Sequence, residues 1–165
     1  MRGVFEGDLV RPLGFVTLYA AYAEGEIDEL LSVLPATEPF DDSRRRWQVG
    51  RKLLYSRALV RKLRVDDLSG LLNILEEGRS LFDQRNELVH GRLFAGGRLV
   101  SNRLSAGERF VSVEGITALA EQLSNWKERL WMHRCRYLLP LLRTQTGNDA
   151  KSGARPNVRR SARSR

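Results

Sequence analysis

Apolar residues recur at helical spacing in four stretches of this chain, with charged residues filling the faces between them. In the first, Val16, Ala20, Ala23, Ile27, Leu30, Leu31 and Leu34 share one face. Pro12 suits a first turn, and Pro35 with Pro39 stops the segment, so the pattern predicts a helix from about Pro12 to Leu34. Gly14 and Gly25 inside it predict a bend. The second stretch opens after Asp41, Asp42 and Ser43, which can cap a helix, and runs to Leu63. Its two apolar flanks are Trp47–Leu54–Ala58 and Val49–Leu53–Val60, so it should touch more than one neighbour. The third starts near Asp66 or Asp67 and holds Leu68, Leu71, Leu75, Phe82 and Val89 in one stripe until Gly91 ends it. The fourth opens near Ser112. Ile116, Leu119, Leu123, Trp126, Leu130, Tyr137, Leu138 and Leu141 form its face, interrupted late by Pro140.

Between the third and fourth stretches lies the one clear strand signal. Arg92-Leu93-Phe94 and Arg98-Leu99-Val100 flank Ala95-Gly96-Gly97, which reads as a hairpin, and residues Phe110–Val113 add extended chain. The expected fold is all-α: a bundle of four main helices with a small β-hairpin between the third and fourth helices. From Thr144 the apolar period stops and Gly, Ser, Asn, Ala and Arg take over. Residues 1–143 are therefore read as one helical domain and residues 144–165 as a disordered basic tail.

Charge sharpens that division. The 165-residue chain has a formal net charge of +8, and its last 22 residues carry six Lys or Arg against one acid. The body is close to balanced. Of the 28 basic residues 24 are Arg, a bias that suits phosphate binding and that a GC-rich genome also produces. One cysteine, Cys135, excludes an internal disulfide, and two histidines leave little for a metal cage. No cofactor is expected. No apolar run reaches 18 residues, so no membrane span is expected. Pro12–Ala23 is a poor export signal, with Glu6 and Asp8 where positive charge belongs, and a cytoplasmic location is expected.

Familiar catalytic templates fail: there is no phosphate-binding glycine loop, no nucleophile elbow and no His-Glu-x-x-His. The carboxylates Glu76 and Glu77, or Glu24, Glu26 and Asp28, are ordinary helix-surface spacing. His133, among Arg129, Arg134 and Arg136, reads as a flank or core residue, and Trp47, Trp126 and Trp131 read as core anchors.

One stretch stands apart, Phe82-Asp83-Gln84-Arg85-Asn86-Glu87-Leu88-Val89-His90-Gly91 at the end of the third helix. With 24 arginines, an Arg within a few residues of a His means little. An Arg five before a His, with Asn four before and Gly one after, means much more. Arg85, Asn86 and His90 in this order resemble the Arg-Asn-x-x-x-His signature of the HEPN superfamily, all-α domains of which many are ribonucleases. The context fits: the motif closes a mid-chain helix, with long helices on either side and a β insertion after it. At 100° per residue Arg85 and His90 lie about 140° apart around the helix, while Asn86 and His90 share a face.

The resemblance implies a two-fold homodimer in which motif helices meet and each active site is composite. It implies a metal-independent endoribonuclease that cleaves RNA by 2′-hydroxyl attack, with Arg85, Asn86 and His90 as the catalytic set. Histidine can be base for the 2′-hydroxyl and acid for the leaving 5′-oxygen, Arg85 can grip the phosphate, and Asn86 can orient either. The role implied is of toxin, defence or stress type, with RNA and a neutralising antitoxin protein as partners. The alternative is a catalytically inactive dimer of the same kind that binds RNA, a nucleotide or a partner protein. Which of Glu24, Glu26 and Asp28 would support the site stays open.

Overall fold

The computed structural model describes residues 7–101 and 107–144. Helix α1 (Gly7–Val33) leads to a single turn, α2 (Asp42–Arg45), then α3 (Val49–Lys62) and α4 (Ser69–His90). Strands β1 (Arg92–Leu93), β2 (Arg98–Val100) and β3 (Glu108–Phe110) precede α5 (Val113–His133), whose axis continues through a π-helical stretch, Arg134–Leu138, into residues 139–144. The architecture is the expected helical bundle with a small sheet between its last two long helices.

The first helix buries the expected face: Val16, Ala20, Ala23, Ile27, Leu30, Leu31 and Leu34 are all core residues. It packs mainly against α5, while α4 packs on α5 and α3. At the centre, the fully buried Trp126 meets Phe82 edge to face and donates its Nε1–H to the Ile74 carbonyl at 2.6 Å. That hydrogen bond satisfies the one polar atom of an otherwise apolar anchor. Among the described residues no helix is long and apolar enough to cross a membrane.

Several boundaries differ from expectation, each for a local reason. Helix α1 begins at Gly7 rather than Pro12 and runs unbroken past Gly14 and Gly25. Pro12, inside the helix, forfeits the one backbone bond that its missing N–H would make. The second helix is broken. Asp41 caps the Arg44 N–H at 2.9 Å, the chain tightens through Arg46 and Trp47, and helix resumes only after the extended Gln48. The hairpin pairs as expected, Arg92 with Val100 and Leu93 with Leu99, and Gly96 and Gly97 take left-handed φ values of 80° and 84° at its turn. A third strand, β3, adds to β2 at Glu108–Phe110, just ahead of the expected Phe110–Val113. Thr144 is still helical, and residues 145–165 of the expected tail lie outside the described residues.

The π-helical stretch moves the buried face of the last helix. It inserts an extra residue just before Pro140, whose ring needs relief from the preceding turn. Leu138 and Leu142 consequently face the core, while Tyr137, expected there, is half exposed.

Candidate functional site

The C-terminal turns of α4 form one wall of a cleft of about 600 Å³. Arg85, Asn86 and His90 all line it, together with Asp83 and Glu87 from the same helix, Glu24 from α1, Gln48, Val49 and Gly50 at the start of α3, and Gly91 and Ser101. The 140° between Arg85 and His90 does not keep them apart, because the cleft wraps the helix end. His90 is the last residue of α4 and is exposed, and it lines the same cleft as Arg85.

Local contacts fix the motif. Arg85 donates from Nη1 to Asn86 Oδ1 at 2.9 Å, while its buried Nε has no hydrogen-bond partner among the described residues. Part of this guanidinium's donor capacity is thus unspent in a half-buried position. Glu87 reaches away to Arg109 of β3 at 2.8 Å, clamping the sheet to the motif helix. Gly91 ends the helix, but not through a left-handed backbone. Its φ is −72°, and what demands glycine is close approach: a Cβ there would lie 2.5 Å from the Glu87 carbonyl and 2.7 Å from Leu99 Cδ1.

The three acids of α1 part company. Glu26 pairs with Arg134 through two hydrogen bonds of 2.6 and 3.2 Å. Asp28 turns to Lys52, at 2.8 Å. Only Glu24 faces the cleft, and it is also held by Lys52 Nζ, at 2.8 Å. Lys52 is 1% exposed, so this ammonium is a buried charge shared by two carboxylates.

Lys52 was not among the sequence candidates, although a signal for it exists. The face that α3 buries is Lys52, Leu53, Ser56, Leu59 and Val60, and a lysine on an otherwise inward stripe marks a buried ion pair. The expected flank Trp47–Leu54–Ala58 instead points outward. Of the three tryptophans, only Trp126 is a core anchor; Trp47 is half-buried at the surface and Trp131 is 45% exposed.

The cleft therefore holds a guanidinium, an imidazole and the amides of Gln48 and Asn86, with Glu24 and Glu87 each paired to a neighbouring cation and Asp83 as a third carboxylate. Among the described residues no three His, Cys, Asp or Glu side chains converge as metal ligands. Such a set can bind a phosphodiester and move protons. No family model matches the chain, and no curated protein or solved structure matches it.

Proposed function

We propose that this protein is a metal-independent endoribonuclease of HEPN type, working as a homodimer. What supports the reading is one observation: Arg85, Asn86 and His90 line a single open cleft. In this reading a His90 imidazole removes the proton of a ribose 2′-hydroxyl, and the oxygen attacks the adjacent phosphorus. Arg85 neutralises the charge that builds on the phosphorane, and Asn86, bonded to it, fixes its plane. A second imidazole protonates the departing 5′-oxygen. Each chain brings one histidine to the cleft, so the second comes from the partner protomer across a two-fold axis. Glu24 lines the same cleft, and its pairing with Lys52 offsets the negative charge it would otherwise set against the phosphate. A cytoplasmic role of toxin, defence or stress type, with a neutralising antitoxin protein, completes the proposal.

The chemistry dictates its own test. Products must carry a 2′,3′-cyclic phosphate and a 5′-hydroxyl, cleavage must persist in EDTA, and RNA with a 2′-deoxy sugar at the cut must be inert. Cleavage that stops in EDTA, or that leaves a 3′-hydroxyl, would sink the mechanism. A dimer that binds RNA and never cuts it would favour the inactive alternative.

A further inference from the structure

We propose that Trp47 and Arg51 form a nucleotide-binding subsite at the rim of the cleft, one that takes single-stranded RNA flanking the bond to be cut. The inference rests on the ribonuclease reading for its substrate and on separate residues for its content. Residues 42–64 carry nine basic side chains against one acid. Several of those cations are already used: Arg44 by Glu38, Arg57 by Glu76, and Lys52 by Glu24 and Asp28. Among the described residues no carboxylate pairs with Arg46 or Arg51, and both are exposed. This corner therefore presents unspent positive charge in a body whose other residues, 1–41 and 65–143, carry 13 basic side chains against 18 acids.

Its geometry is that of a built surface. The Arg51 guanidinium lies 3.8 Å from the centroid of the Trp47 ring, which itself stands edge-on to Tyr55 at 5.5 Å. Arg44 approaches the same two rings at 5.7 and 5.9 Å. Neither Trp47 nor Arg51 belongs to the hydrophobic core. A guanidinium held on an indole has less rotamer freedom to lose on binding, and its N–H donors stay available for a phosphate. Its outer face is the size and polarity on which an unstacked base can lie. The break between α2 and α3 creates this arrangement, and it also positions it. Gln48, Val49 and Gly50, the three residues between Trp47 and Arg51, line the cleft beside Arg85 and His90. A strand threaded past His90 thus meets the stack next. Single-stranded RNA fits best, because a duplex keeps its bases stacked and cannot offer one to the guanidinium.

The test measures binding without cleavage, using the full chain and a labelled 2′-O-methyl oligonucleotide of about a dozen nucleotides, as the single strand and as its duplex. Arg51→Gln should weaken single-strand binding about tenfold and flatten the salt dependence by about one phosphate contact. Arg51→Lys should restore the salt slope but not the affinity, since an ammonium keeps the charge and loses the planar stack. The control is Arg61→Gln, on the same helix about 15 Å further on, which should change affinity less than twofold. Equal losses for Arg51→Gln and Arg61→Gln would mean diffuse charge only and overturn the subsite. So would an equal loss on duplex, or polyglutamate competing as well as RNA, which would point to an acidic protein partner. The two proposals fail separately. Selective loss in Arg51→Gln without any RNA cleavage by the wild type would leave the subsite standing and remove the enzyme, whereas cleavage with no Arg51 effect would do the reverse.

Discussion

His133 lies on the last turn of α5 with its ring against Gly70, where a Cβ would come within 2.8 Å of Cε1, and 5.1 Å from the Tyr137 ring. Its Nδ1 is buried without a hydrogen-bond partner among the described residues. Partial burial, and then the nearby Arg129, push its pKa below the ordinary 6.5. The unfolded chain therefore binds this proton more readily than the folded one. Stability from the neutral ring is fully present above about pH 6.5 and is lost as pH falls through the lower, folded value. Thermal melts between pH 7 and 5 should show Tm falling on acidification, with a shallower fall in His133→Gln. Identical slopes in the two proteins would contradict this account. At the cleft, Lys52→Met should cost stability, about 3 kcal/mol, the low end for breaking a buried ion pair because Glu24 stays partly in water. Chemical denaturation reads that number, and a neutral substitution would show that the ammonium is not held by its two carboxylates.

At the scale of elements, the contact between α4 and α5 turns on Gly78. A Cβ at this position would lie 2.4 Å from Trp126 Cζ2, and the indole cannot withdraw without losing its bond to Ile74. Gly78→Ala should destabilise by about 1–3 kcal/mol through overpacking, outweighing the gain of about 1 kcal/mol in helix propensity. A raised Tm would show that the helices can separate to admit the methyl group. The same interface shows why the helices were legible in sequence: Leu71, Leu75 and Phe82 on α4, and Ile116, Leu119, Leu123 and Trp126 on α5, keep strict helical spacing. Periodicity fails where the helix changes its own period. The π-helical stretch before Pro140 rotates the later residues, so Leu142 packs where Leu141 was expected and Tyr137 turns outward. It also fails at Trp47, whose spacing to Leu54 and Ala58 looks like a buried flank. The break at Gln48 and the cations around the ring make it a surface residue instead.

For the whole molecule, the proposed site needs two copies. Trp131, Met132 and Tyr137 expose 44–49% of their surface along the end of the last helix, but that end packs beside Gly70 at the start of α4, away from His90, so this patch is separate from the cleft. The dimer is expected to use the C-terminal half of α4 and the last helix. Light scattering at micromolar concentration should give twice the 18.8 kDa chain mass. A monomer mass at every concentration would remove the composite site. The local part of the candidate site was legible, because Arg85, Asn86, His90 and Gly91 fall within seven consecutive residues. Its distant parts were not. Glu24 and Lys52 are 28 residues apart and meet only because α3 packs back on α1, and no spacing rule separates Glu24 from Glu26 or Asp28.

In the function proposed above, the cleft cuts RNA through His90 and Arg85 without a metal ion. The most direct measurement is the cleavage rate of one labelled RNA in EDTA by His90→Ala beside the wild type, once both show the same melting profile and mass. His90→Ala should lose activity on the order of a hundredfold or more, the scale of one general acid–base group. Arg85→Ala should fall with it, and His133→Ala should cleave as the wild type does. An undiminished rate in His90→Ala would contradict it.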